Sequence, residues 1–119
     1  SYIHCEAYAA GELKHGTISL IEKGTVVVAV MTNSAVFSKT YSNVKEVQSR
    51  GAKVVFIVKK SDAHLLTEES NVIVLDDCDD IFSGSLSAIP LQLLSYYTAK
   101  AKGCDIDKPR NLAKSVTVE

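Results

Sequence analysis

Apolar positions along this chain alternate between unbroken runs and a recurrence every three or four residues. Thr25-Val-Val-Val-Ala-Val-Met31 is a continuous, β-branched run, the pattern of a strand covered on both faces, and such strands are usually parallel. Lys53-Val-Val-Phe-Ile-Val58 and Asn71-Val-Ile-Val-Leu75 repeat it. Between the first two runs, residues 35–50 place Phe37, Tyr41, Val44 and Val47 on one stripe and Lys39, Lys45 and Glu46 off it, with Gly51 as the stop. That is an amphipathic crossover helix. Residues 86–102 carry Leu86, Ile89, Leu93, Leu94 and Tyr97 on one face, with Pro90 expected to kink the early part and Gly103 to close the helix. Upstream, Leu13, Thr17, Leu20 and Ile21 predict a helix over residues 10–22, ended by Gly24. Gly16 weakens it by about 1 kcal/mol relative to alanine, so a packing or site reason is expected there. Residues 3–8 alternate in part and read as a strand or extended segment, and the polar residues 59–70 leave room for a single helical turn.

Strands alternating with helices predict an α/β fold, a parallel sheet with flanking helices and right-handed crossovers. Three strands are few for such a fold. The chain also opens directly on Ser1-Tyr-Ile-His-Cys-Glu-Ala-Tyr8, without a methionine or a polar lead-in, so it reads as a piece of something longer that is truncated at an N-terminal strand and helix.

At 119 residues and 46% hydrophobic, one core is expected rather than two domains. Thirteen basic against fourteen acidic residues give a net charge of −1, with no Lys/Arg run suited to a polyphosphate backbone, so nucleic acid is not an expected partner. No apolar run approaches the ~20 residues of a membrane helix and no leader opens the chain, so a cytoplasmic protein without a membrane partner is expected. Cys5, Cys78 and Cys104 are widely spaced and odd in number, which fits free thiols.

Four places carry candidate chemistry. His15, in Gly11-Glu-Leu-Lys-His-Gly16, lies off the Leu13, Leu20, Ile21 stripe, and the two glycines leave backbone uncovered around an imidazole and the Glu12 carboxylate. It is either an exposed histidine paired with Glu12 or a group presented to a ligand or another subunit. The serines of Ser83-Gly-Ser-Leu-Ser87 precede an apolar run and suit helix capping better than phosphate binding, because the strand, glycine-rich turn and helix order of a phosphate loop is missing. Asp76, Asp77, Asp79 and Asp80 suit the positive end of a helix dipole and lack calcium-loop spacing, so no metal site is expected. The last fifteen residues form a tail in which Pro109 blocks helix continuation. Its Lys114 is either a solvated surface amine or a nucleophile delivered into a site. A lysine near pKa 10.4 attacks a carbonyl only once desolvated or placed beside another cation, for which Lys108 and Arg110 are near in sequence.

The segments Glu6-Ala-Tyr-Ala-Ala-Gly-Glu-Leu-Lys-His-Gly16, Ile89-Pro-Leu-Gln-Leu-Leu94 and Lys108-Pro-Arg-Asn-Leu-Ala-Lys-Ser-Val-Thr-Val-Glu119 closely resemble the glucosamine-6-phosphate synthase family, the isomerising glutamine–fructose-6-phosphate aminotransferases. The resemblance runs the whole chain. It implies the C-terminal part of the isomerase half, with a flavodoxin-like, three-layer sugar isomerase (SIS) fold. Residues 1–104 would be most of the second SIS subdomain and residues 105–119 a catalytic tail. It further implies that Lys114 forms the imine with open-chain fructose 6-phosphate and that the backbone at Ala113 touches the sugar. His15 would assist ring opening in the neighbouring subunit of a homodimer. Arg110, Asn111 and Leu112 would close over the sugar and line the path of ammonia from a glutaminase domain. The product would be glucosamine 6-phosphate, with no cofactor. The family's carboxylate base and phosphate-holding loops have no counterpart in these 119 residues, and Thr17 stands where the family commonly has proline. The alternative is a non-catalytic SIS module that binds a sugar phosphate to regulate a partner.

Overall fold

The computed structural model describes residues 1–108 and Arg110. Asn111, Leu112, Ala113 and Lys114 lie outside the described residues. Two compact units are present, one spanning Glu6–Ala88 and the other joining Ser1–Cys5 to the residues from Ile89 onward.

The first unit holds the sheet. Strands β1 (Val26–Met31), β2 (Lys53–Lys59) and β3 (Val72–Leu75) are all parallel, in the order β1-β2-β3. Val26 pairs with Lys53 and Met31 with Val58, while Phe56 pairs with Val72 and Lys59 with Leu75. The middle strand is the most hydrophobic because it is flanked on both sides: Val54, Phe56, Ile57 and Val58 are all buried. Helix α1 (Phe37–Ser49) makes the β1 to β2 crossover and sends Phe37, Val44 and Val47 inward, as the stripe predicts, with Tyr41 half-buried. Phe37 and Val44 meet Ala29, Met31, Val54, Phe56, Val58 and Leu66 in one cluster. Each large side chain fully buried there is worth about 1.5–3 kcal/mol over leaving it in water.

The expectation that β1 is covered on both faces is only half met. Side chains alternate along a strand, so Val27, Ala29 and Met31 turn toward α1 while Val26 and Val30 point the other way and are exposed. The helix expected over residues 10–22 is also not formed. Two short 3-10 turns, Ala10–His15 and Thr17–Leu20, stand there instead, separated by Gly16 at φ 156°, ψ −58°. An L side chain rarely adopts that backbone, and a Cβ at Gly16 would meet nothing within 4 Å, so the glycine is needed for its conformation rather than for space. Residues 3–8 form no strand, and the polar stretch after β2 holds one 3-10 turn, Ala63–Leu66.

Gly51 answers to a different need. It sits at φ 92°, and an added Cβ would stand 2.9 Å from the Lys23 Cα, where Gly24 N–H donates to the Gly51 carbonyl at 2.9 Å. This contact docks the turn entering β1 on the turn entering β2.

Helix α2 (Ser83–Ala101) begins in the first unit and runs through Pro90 into the second. Its expected core face is not buried: Ile89, Leu93, Leu94 and Tyr97 are exposed, whereas Ser87 and Ala99 are buried.

Candidate functional site

In the first unit, polar side chains gather where the parallel strands end, the edge at which open α/β sheets bind ligands. Thr32 follows β1 and is buried; Ser34 Oγ donates to Asp62 Oδ2 at 2.9 Å, joining the loops after β1 and β2. Lys59, the last residue of β2, is only 6% exposed and pairs with the Asp80 carboxylate. The hydrogen bond to Asp80 outweighs the effect of burial and pushes the Lys59 pKa up. A lysine held protonated in this way is an electrostatic fastener and no nucleophile.

Three of the four clustered aspartates are spent in the same fashion, Asp80 on Lys59 and the other two on backbone N–H groups. Asp77 accepts from the Ser61 N–H at 2.9 Å, which holds its carboxyl below the ordinary range, and Asp79 accepts from the Ile81 N–H at 3.2 Å as a helix cap. Ser83 Oγ donates to the Asp80 carbonyl at 2.8 Å, and Ser87 Oγ to the Ser83 carbonyl at 2.6 Å. Asp79 thus caps the short 3-10 turn Asp80–Phe82 that leads into α2, while the Ser83 and Ser87 hydroxyls are turned onto backbone carbonyls rather than onto N–H groups. Among the described residues, no group of three or more His, Cys, Asp or Glu side chains is placed to hold a metal ion.

His15 closes the first 3-10 turn and is exposed. Among the described residues no ion pair joins it to Glu12; its neighbour Lys14 instead reaches Glu46 of α1 at 3.2 Å, tying the turn to the crossover helix. Ser19 Oγ donates to the Gly16 carbonyl at 2.7 Å, steadying the break beside the imidazole. A Cβ at Gly11 or Gly16 would meet nothing within 4 Å, so the backbone around His15 is uncovered, as the two glycines predict. The Thr17 hydroxyl oxygen is buried with no hydrogen-bond partner, a cost that a proline at this position would not carry.

The second unit contains the approach to the lysine tail. Gly103, at φ 67°, stops α2, with Cys104 N–H donating to the Ala99 carbonyl at 2.9 Å. Asp105 Oδ1 then accepts from the N–H groups of Asp107 and Lys108, each at 2.9 Å, and turns the chain. At Arg110 the backbone N–H donates to the Tyr2 hydroxyl at 2.7 Å and the guanidinium lies 4.3 Å from the centre of the Tyr2 ring. Lys102 Nζ donates to the Ser1 carbonyl at 2.7 Å. Tyr2, Lys102, Cys104, Asp105, Lys108 and Arg110 line an open groove of about 430 Å³ with three cations on its walls.

Of the site residues expected from sequence, His15 and Arg110 are described and each belongs to a different unit. Tyr2 and Lys59 carry no expectation from sequence. Tyr2 meets Arg110 across 108 positions, and no spacing rule reaches so far.

A parallel sheet with flanking helices and polar groups at the carboxyl ends of its strands defines an α/β domain, and residues 1–101 match the SIS domain family, to which the chain belongs. The whole chain is 56% identical to the glutamine–fructose-6-phosphate aminotransferase (isomerizing) of Clostridium tetani and 49% identical to that of Methanosarcina mazei, covering 20% and 19% of those proteins. The chain thus spans about a fifth of the length of the relatives it matches. In structure it resembles the C-terminal domain of glucosamine-fructose-6-phosphate aminotransferase from Francisella tularensis, with a TM-score of 0.85 and 44% identity over 91% of this chain and 30% of that one.

Proposed function

We propose that this chain is the C-terminal isomerase segment of an enzyme that makes glucosamine 6-phosphate and glutamate from fructose 6-phosphate and glutamine, with residues 1–104 as a partial SIS subdomain and 105–119 as its catalytic tail. The observation that carries the reading is 56% identity to such an aminotransferase over all 119 residues, the lysine tail included. In this reading the neutral Lys114 amine condenses with the C2 ketone of the open-chain sugar and releases water. Ammonia then replaces the lysine nitrogen, and a proton moves from C1 to C2 by a carboxylate supplied from outside these residues. The conversion is redox-neutral, so no redox cofactor is called for.

The chain's own residues support these roles. Lys102, Lys108 and Arg110 line one groove at the entrance to the tail, and neighbouring cations favour a neutral lysine. The buried Lys59 is excluded as the imine-forming amine by its pairing with Asp80. His15 stands exposed on a glycine-bounded turn, which suits ring opening of a sugar held by a second subunit of a homodimer. A cytoplasmic location and a glutaminase domain in the same full-length chain belong to the same reading. The test is borohydride trapping in the full-length protein: a reduced adduct of fructose 6-phosphate on Lys114 is expected, and none in Lys114→Arg. Absence of the adduct from the unaltered protein would favour a non-catalytic SIS module that binds a sugar phosphate.

A further inference from the structure

We infer that Tyr2 is a positioning residue for the lysine tail, acting as a clasp on Arg110; this rests on the reading of Lys114 as the imine-forming amine. Tyr2 grips Arg110 twice, through its hydroxyl on the backbone N–H at 2.7 Å and through its ring face under the guanidinium at 4.3 Å. The two contacts constrain different things, the first the path of the backbone and the second the direction of the side chain. A second tie, Lys102 Nζ on the Ser1 carbonyl at 2.7 Å, fixes the same segment to the end of α2.

The consequence follows from chain length. Lys114 is four residues beyond Arg110, and four residues span at most about 14 Å, so fixing Arg110 limits the volume that the amine can search. A tyrosine here supplies both contacts. Phenylalanine keeps the ring face without the hydroxyl, and leucine removes both.

The experiment compares the unaltered full-length protein with Tyr2→Phe and Tyr2→Leu. Limited tryptic cleavage after Arg110 reads the clasp itself, and the rate of borohydride-trapped adduct formation on Lys114 at saturating fructose 6-phosphate reads its effect. Tyr2→Leu should raise the cleavage rate and slow trapping about tenfold, equal to about 1.4 kcal/mol, with Tyr2→Phe between it and the unaltered protein. The melting temperature should stay unchanged in Tyr2→Phe, so a general loss of stability would not reproduce this order. Unchanged cleavage in both variants would overturn the clasp. Faster cleavage with unchanged trapping would overturn the positioning role and leave the imine intact. No adduct in the unaltered protein would instead remove the functional reading, and this role with it. Should Tyr2→Leu fail to fold, Tyr2→Phe together with Arg110→Lys, which keeps the backbone bond and the tryptic site but loses the planar guanidinium over the ring, decides the same question.

Discussion

Glu69 gathers more partners than any single position suggests from sequence. Its carboxylate accepts from Tyr41 Oη at 3.1 Å, Lys45 Nζ at 2.6 Å and Gln48 Nε2 at 2.8 Å, fastening the segment before β3 to α1. Burial pushes its pKa up, but the three hydrogen bonds and the Lys45 charge outweigh that and leave it below the ordinary glutamate value of 4.5. A carboxyl depressed in the folded state contributes stability above its unfolded pKa and loses it as pH falls through the folded one. Thermal melts should therefore show stability declining below about pH 5, and Glu69→Gln should flatten that decline while lowering stability at pH 7 by about 2 kcal/mol. Equal acid slopes for the two proteins would place the loss elsewhere. The sequence identifies Tyr41 and Lys45 as lying on and off the α1 stripe. It does not identify Glu69 as their common acceptor, because the contact joins residues 28 and 24 positions apart.

Among the elements, β2 was legible and its ending was not. An unbroken Val-Val-Phe-Ile-Val run predicts a buried strand, and continuing it by one residue takes a lysine into the interior. Lys59 is tolerated because Asp80, in the turn leading to α2, neutralises it at the carboxyl edge of the sheet. Asp80→Asn should thus lower the melting temperature, since it strands a buried ammonium. The double change Lys59→Met with Asp80→Asn should recover at least half of the loss, because it removes the charge together with its partner. Calorimetry on the three proteins checks the order, and a double variant no more stable than Asp80→Asn contradicts it. Helical periodicity served α1 well and failed over residues 10–22, where the same spacing of Leu13, Thr17, Leu20 and Ile21 is met by two 3-10 turns broken at Gly16. The apolar spacing was present, but the glycine's backbone conformation overrode it.

For the molecule as a whole, the 119 residues should show no turnover by themselves. By the resemblance, the carboxylate that moves the proton and the loops that hold the sugar phosphate lie outside them, and the relatives are about five times as long. Glucosamine 6-phosphate formation, assayed with glutamine and separately with ammonia, is expected to be undetectable for the isolated chain and present for the full-length protein. Along α2, Leu93, Leu94 and Tyr97 recur at helical spacing yet stand exposed, so the periodicity located the helix without locating a buried face. Sequence by itself determined the parallel α/β class, the buried second strand, the crossover helix and its inward stripe, and the SIS relationship. Each of these is written in local spacing, in β-branched runs or in a contiguous motif. Only the tertiary structure decided the break at Gly16, the Lys59 to Asp80 pair, the convergence on Glu69 and the grip of Tyr2 on Arg110. The break follows from a backbone conformation that apolar spacing does not report, and the other contacts join residues 21 to 108 positions apart, a distance no local pattern encodes.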